Sequence, residues 1–508
     1  MTEKRRIVTN TLANGTAQFT SLLAGLVFMP LLIRSFGLAD YGLYLLASSI
    51  VGYASLLDFG VGASLVKMIA AKESEGSREG IGALASAALV FYIIIGVVIA
   101  ALMVILGLLS GVLFRVTPEQ ADLLQRLLLV AAAFSLWTWP ASTFVSVLHG
   151  FQNYTITARV SLGVTLANAV AIAAVLIAHQ GPFVLLIATS SIGALGSLVN
   201  VFFARRQLAG ITVSPTLARP ESLKRIFSFS WAIFVVQVMT IVLYQQTDRM
   251  ILGAFVGAAA VTLYEASGRM QGLIAALTGF ANSAVIPMAS HLDALGETER
   301  LRALFLRGTK YTLALVTPVI VVLAVIARPL LREWLGPDFA AQAMNARLLI
   351  LPHLLVVGGI IGDSIILGTG ALPQRLPMAL TMAFGNLALS IALVGPLGIL
   401  GVVLGTAIPY VLDYPIHMRL LLREIDVPAK RWLRETMLPV YPLLVVPASI
   451  SLLGLSTPLA DSLVGLAALS VVSCGAYYVA MVAVGLSADE RADLKSAADA
   501  VRHRVSAA

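Results

Sequence analysis

The chain has 508 residues, of which 59% are hydrophobic and 12% charged, with a mean hydropathy of +0.92. That composition excludes a soluble globular protein and sets aside a length-based domain count, because membrane spans of about 20 apolar residues dictate the architecture. The net charge of +8 and pI near 9.6 are no nucleic-acid signature, since the excess lies between apolar runs, beside lipid headgroups. The single cysteine, Cys474, lies inside an apolar run, which excludes an internal disulfide and a Cys/His metal framework.

In chain order, MTEKRRIVTN has the positive flank of a signal peptide. The segment behind it carries Asn10, Asn14 and Gln18 and lacks a small-residue cleavage pattern, so it reads as a retained first helix. Fourteen spans are predicted, at about residues 9–32, 41–64, 81–112, 123–148, 155–179, 182–204, 228–252, 259–286, 309–327, 347–368, 376–395, 398–420, 436–455 and 462–486. The fold class is therefore an all-α integral membrane protein. The longest break, RRQLAGITVSPTLARPESLKR, divides the chain into an N-terminal lobe of spans one to six (1–204), a linker (205–227) and a C-terminal lobe of spans seven to twelve (228–423). Two further spans (436–486) and a tail (487–508) follow. The stretch GLADYGLYLLASSI from Gly37 aligns with GAAAVTLYEASGRM from Gly257, matching Gly37/Gly257, Ala39/Ala259, Leu43/Leu263 and Tyr44/Tyr264. Both stretches join an odd-numbered span to the next, as a repeat of six helices plus six requires.

The alternate loops beginning with the N-terminus hold 26 of the 34 basic residues, and the opposite set holds 7, with Arg269 left inside a span. This asymmetry predicts that both termini are cytoplasmic. The linker then lies in the cytoplasm as well. The tail opens with a capping-box pattern, Ser487 and Glu490, and continues with Leu494, Ala497, Ala498 and Val501 at helical spacing, as for an amphipathic helix on the membrane face.

Motifs of catalysis are missing: there is no phosphate-binding loop, no His-Glu-x-x-His and no Gly-x-Ser-x-Gly. The longest outer break, about Arg328 to Ala346, is too short to house an active site. A membrane polymerase or glycosyltransferase is therefore disfavoured, and no catalytic residue, cofactor or metal is expected. Chemistry is left to polarity inside the spans, which is costly in hydrocarbon and ordinarily faces a bundle interior or a water-filled cavity. Asn10, Asn14, Gln18 and Ser21 draw one stripe, Thr157, Ser161, Thr165 and Asn168 a second, and Gln237, Tyr244, Gln245 and Asp248 a third. Each suits either interhelical hydrogen-bond glue or a shared polar cavity.

Two longer runs carry a resemblance. MPLLIRSFGLADYGLYLLASSIVGYASLLDFGVGASLVKMIA, from Met29, and TDRMILGAFVGAAAVTLYEASGRM, from Thr247, resemble polysaccharide and O-antigen flippases of the Wzx type. These belong to the multidrug/oligosaccharidyl-lipid/polysaccharide exporter superfamily. The resemblance implies two six-helix lobes rocking about a central cavity in the bacterial inner membrane. The implied cargo is an oligosaccharide repeat unit on undecaprenyl pyrophosphate, destined for cell-surface polysaccharide or lipopolysaccharide. It allows a proton or sodium counter-ion and polymerase or glycosyltransferase partners, and leaves open a drug or metabolite exporter of the same superfamily.

Such a cargo needs amides for sugar hydroxyls and a cation for phosphate, which arginine grips through two donors. Arg269, about 10 residues or roughly 15 Å into the eighth span, is the deepest basic side chain and the leading phosphate candidate. The competing reading pairs it with Glu265, four residues earlier. Arg249, near the outer interface with Asp248 beside it, suits headgroup snorkelling as well as substrate binding. Asn14, Gln18, Asn168, Gln237, Tyr244 and Gln245 complete the candidate cavity lining. Asp58, Asp363 and Asp413, near cytoplasmic span ends, join Asp248 and Glu265 as candidates for gating or ion coupling, with a structural helix-end role as the alternative.

Overall fold

The computed structural model describes the backbone at residues 3–228, 230, 234, 247–282, 285–369, 376–492 and 495–496, and side chains from residue 25 on except 280, 281 and 376–379. The described residues form helices and turns only, and eleven helical segments among them are long and apolar enough to cross a membrane. The other three predicted spans are the first, the seventh and the eighth. The seventh falls largely outside the described residues. The eighth forms its helix, but charged and polar residues interrupt its apolar run.

The main helices are α1 (Glu3–Ala54), α2 (Val61–Ser74), α3 (Arg78–Leu108), α4 (Pro118–Gly150), α5 (Tyr154–Ile177), α6 (Pro182–Gln207), α7 (Thr247–Phe255) and α8 (Ala258–Asn282). They continue with α9 (Val285–Ala294), α10 (Thr298–Leu335), α11 (Ala343–Ile350), α12 (Ile360–Thr369), α13 (Leu376–Leu397), α14 (Ile399–Glu424), α15 (Val445–Gly454) and α16 (Leu463–Ala480). Contacts gather them into two units, Met1–Glu265 with Ala383–Gly405, and Ala266–Met382 with Thr406–Ala508.

In the first unit α3 lies along α4, α4 against α6, and α6 against α5. The sequence of α3 explains its place. Ser77 caps its first turn by accepting from the Gly80 amide at 3.3 Å, and Ala85, Ala88, Tyr92, Ile95 and Ile99 bury one face. Ile94, Val97, Leu102 and Ile105 are exposed on the other, an apolar belt suited to lipid. The start of α4 is fixed by a capping box: Thr117 Oγ1 accepts from the Gln120 amide at 3.4 Å, and Gln120 Oε1 accepts from the Thr117 amide at 3.1 Å.

Two predicted spans depart from single helices. The second ends at Ala54; a 3₁₀ turn (Ser55–Asp58) and left-handed residues Phe59 and Gly60 precede α2. The tenth is divided between α11, a single turn and α12, because Pro352 and the Gly358–Gly359 pair interrupt it.

The first two spans are joined without a loop, since Gly37, at φ 80° and ψ 170°, breaks α1 into two helices. A side chain there would be strained. Its sequence match, Gly257, also takes a positive φ, 126°, between α7 and α8. Close by, Thr262 Oγ1 donates to the Leu38 carbonyl at 2.7 Å, and a Cβ on Gly42 would stand 1.9 Å from the Ala258 carbonyl oxygen. Because that neighbour is backbone, the helices would have to part. Gly42→Ala is expected to cost about 1–3 kcal/mol of stability, read as a lower melting temperature of the detergent-purified protein. An unchanged melting temperature would contradict the close approach.

In the second unit α10 packs against α15 and α16, and α9 against α12. Val322, Ile326, Leu466 and Leu469 form one small core, and Phe305, Ile361, Ile365 and Leu421 belong to another. Helix α10 is 38 residues long and begins well before the predicted ninth span, so its first turns carry basic residues out of the apolar zone.

Candidate functional site

The sequence TDRMILG lies on α7, and Gly257 turns the chain into α8. This hairpin sets Arg249 on α7 against Glu265 on α8, with Nη2 to Oε2 at 2.5 Å. The Arg249 Nη1 also donates to Ser49 Oγ on α1 at 3.3 Å. The Tyr264 hydroxyl donates to Asp248 Oδ2, and the Tyr53 and Thr247 hydroxyls share a hydrogen bond. Glu265 is only 8% exposed. A carboxylate so enclosed stays charged at acceptable cost only beside a cation, and Arg249 supplies it. The Asp248–Arg249 element thus ties α1, α7 and α8 together within one unit, and an anionic ligand at Arg249 would compete with Glu265.

Arg269 lies on α8, eleven residues past its first, or roughly 16 Å along a 25-residue helix, and is half-buried. Among the amide candidates, the side chains of Asn14 and Gln18 and the whole of Gln237, Tyr244 and Gln245 lie outside the described residues.

On α5 the stripe divides chemically. Thr165 donates to the Ser161 carbonyl at 2.9 Å, and Thr157 donates to the Tyr154 carbonyl at 3.0 Å while lying 2.9 Å from His149 Nε2. Those hydroxyls are spent on local partners. Asn168 differs: its Oδ1 is buried and has no hydrogen-bond partner among the described residues. An orphaned acceptor of this kind calls for water or a ligand hydroxyl.

The carboxylate candidates near span ends also find partners. Asp58, at the break between α1 and α2, accepts from the Tyr92 hydroxyl at 2.5 Å, which ties the break to α3. In the second unit, His417 Nε2 on α14 lies 3.2 Å from Asp363 Oδ1 on α12, and Asp413 stands one turn before His417 on α14. The sequence reading passed over His417; the i,i+4 spacing from Asp413 was the signal it offered. It also passed over Lys310, whose Nζ meets Glu490 Oε2 at 2.6 Å with both side chains 8% exposed. Of the tail, the capping box is formed: the Ser487 amide donates to Glu490 Oε2 at 2.8 Å and the Glu490 amide to Ser487 Oγ at 3.3 Å. Leu494, Ala497, Ala498 and Val501 lie outside the described residues. Among the described residues no group of three or more His, Cys, Asp or Glu could hold a metal ion.

The fold is shared with two solved structures. An inward-facing multidrug resistance MATE family transporter aligns with a TM-score of 0.66 over 81% of this chain and 98% of its own, at 16% identity. The lipid II flippase MurJ, in an inward closed conformation, aligns with a TM-score of 0.67 over 91% of this chain and 97% of its own, also at 16% identity. The family of polysaccharide biosynthesis proteins matches residues 7–293, more than half of the chain, and the chain belongs to that family. It is also 23% identical over 426 residues to an uncharacterized membrane protein, EpsK, of Bacillus subtilis (strain 168), covering 81% of this chain and 82% of EpsK. The resemblance read from Met29–Ala70 and Thr247–Met270 is borne out, since both runs fall inside the matched region.

Proposed function

We propose that the protein is a flippase for a lipid-linked oligosaccharide, moving an undecaprenyl-pyrophosphate repeat unit across the bacterial inner membrane by alternating access. Membership of the polysaccharide biosynthesis family carries this reading. The fold shared with MurJ over nine-tenths of the chain supports it. In this reading lobes 1–204 and 228–423 rock about a polar cavity, both termini are cytoplasmic, and the lipid tail stays in the bilayer while glycan and phosphates cross. Asn168, with its buried and orphaned oxygen, suits a sugar hydroxyl, and Arg269 is the phosphate contact. The Asp363–His417 pair, with Asp413 one turn before His417 on α14, is the place for ion coupling or gating in this reading.

A multidrug or metabolite exporter is the second reading, favoured by the nearly equal fold match to the MATE transporter. Deleting the gene separates the two. Accumulation of lipid-linked repeat units on the cytoplasmic leaflet is the expected result, and its absence would sink the flippase. At normal protein level, Arg269→Ala is expected to lower transport roughly 10- to 150-fold, the worth of a charged hydrogen bond of about 1.5–3 kcal/mol. Arg269→Lys should fall between, keeping the charge and losing the two-pronged grip. Full transport by the alanine variant would remove Arg269 from the site.

A further inference from the structure

A left-handed turn ends α14. Asp426, at φ 55°, follows the helix, and the amides of Asp426 and Val427 donate back to the carbonyls of Arg423 and Leu422 at 3.2 and 2.9 Å. This is a Schellman motif, and its two apolar partners, Leu422 and Val427, belong to one buried core. Arg302 on α10 fastens the turn, its Nε donating to the Ile425 carbonyl at 3.4 Å and its Nη2 to Asp426 Oδ2. The chain then enters a short helix, Ala429–Trp432.

Between this turn and the last turns of α14 lies a cavity of about 550 Å³, within the roughly 300–1,000 Å³ of small-ligand sites. Met418, Leu422, Val427 and Trp432 give it an apolar, buried floor. Its charge comes from α14. Arg419 and Arg423 line it four residues apart, and so share one helix face with Cβ atoms about 5–6 Å from each other. One carboxylate, Asp426, also lines the cavity, and Arg302 already holds it. Among the described residues neither lining arginine is bonded to a carboxylate. Trp432 adds a donor, because it is only 8% exposed and its buried Nε1 has no hydrogen-bond partner among the described residues. A buried indole N–H ordinarily finds an acceptor. The site therefore sets two guanidiniums without a counter-ion, and a donor without an acceptor, around an apolar floor.

We propose that this cavity binds a phosphate monoester with an apolar body, the phosphate between Arg419 and Arg423 and the body on the Met418–Trp432 floor. Charge and geometry select phosphate over carboxylate. A phosphate monoester carries about −1.5 to −2 charge at pH 7 and three acceptor oxygens, enough for two forked guanidiniums and the indole. A carboxylate has one charge and two oxygens, which a single arginine satisfies.

Isothermal titration of the full chain in detergent, against a detergent blank, tests this with 1-naphthyl phosphate, inorganic phosphate and 1-naphthoate as probes. Naphthyl phosphate is expected to bind roughly tenfold or more tightly than either of the others, through its buried ring against inorganic phosphate and its second ion pair against naphthoate. Arg419→Gln and Arg423→Gln should each weaken it roughly tenfold, the worth of a charged hydrogen bond. Both side chains are exposed, so the melting temperature should hold, and either single variant serves if the double one does not fold. Binding at this site should persist in Arg269→Ala, which separates it from the transport cavity. Displacement by dioleoyl-phosphatidic acid would place the phosphate on a lipid, and persistence would place it on a soluble ester. Equal binding of inorganic phosphate or naphthoate, unchanged binding in the glutamine variants, or loss in Arg269→Ala would overturn the proposal. Binding, not transport, is the readout, so its failure leaves the flippase reading standing.

Discussion

Replacing Arg249 by Met, or Glu265 by Leu, is expected to destabilise the protein by about 3–5 kcal/mol, while making both changes together restores most of the loss. The reason is the enclosure of the pair, 2.5 Å apart with Glu265 8% exposed. Removing the guanidinium leaves a carboxylate with its main countercharge gone, and removing the carboxylate does the same to the guanidinium. Replacing both with apolar side chains of similar bulk removes the desolvation cost along with the attraction. The same variants decide what Arg249 does. If it grips substrate phosphate, the stable Arg249→Met/Glu265→Leu protein will fail in transport. The geometry predicts retained transport, because its guanidinium is already engaged by Glu265 and Ser49. Melting temperature in detergent and lipid-linked intermediate levels in cells give the two readouts. A double variant as unstable as either single one would mean that the contacts of the ion pair cannot be exchanged for packing.

What the sequence makes legible is whatever is local in chain or periodic along a helix. Apolar runs give the spans, and Gly37 and Gly257 mark two helix junctions whose positive φ values follow from the absence of a Cβ. Partner choice is a different matter, because it depends on contacts between segments far apart in the chain. The contact of Glu265 with Arg249 spans the α7–α8 junction, sixteen positions apart in the chain. The partner of Asp58 is the hydroxyl of Tyr92, 34 positions on, which no local pattern in the chain announces. His417 becomes notable only once α12 brings Asp363 beside it. Breaks inside spans were partly readable: Pro352 and Gly358–Gly359 are visible interrupters in a run whose hydropathy alone reads as continuous.

Lys310→Met or Glu490→Gln should each cost about 3–5 kcal/mol, because the pair closes the foot of α10 against the first turn of the tail, with both side chains 8% exposed. Glu490 bears two duties, since the oxygen that meets Lys310 also accepts the Ser487 amide and completes the capping box. Burial pushes the Glu490 carboxyl upward, but the Lys310 ammonium and the Ser487 bonds outweigh it and hold the group below its ordinary value of 4.5. A carboxyl depressed in the folded state binds its proton more readily when unfolded. Its stabilisation is therefore complete above the unfolded value and lost as pH falls through the folded one. Melting temperatures taken from pH 7 down to about pH 3 should show a decline in the wild-type protein beginning near the ordinary carboxylate range. Glu490→Gln should begin lower at pH 7 and decline less, since it has no proton to gain at that position. A parallel decline in both proteins would mean that other carboxylates govern acid stability and that Glu490 is not held below its ordinary range.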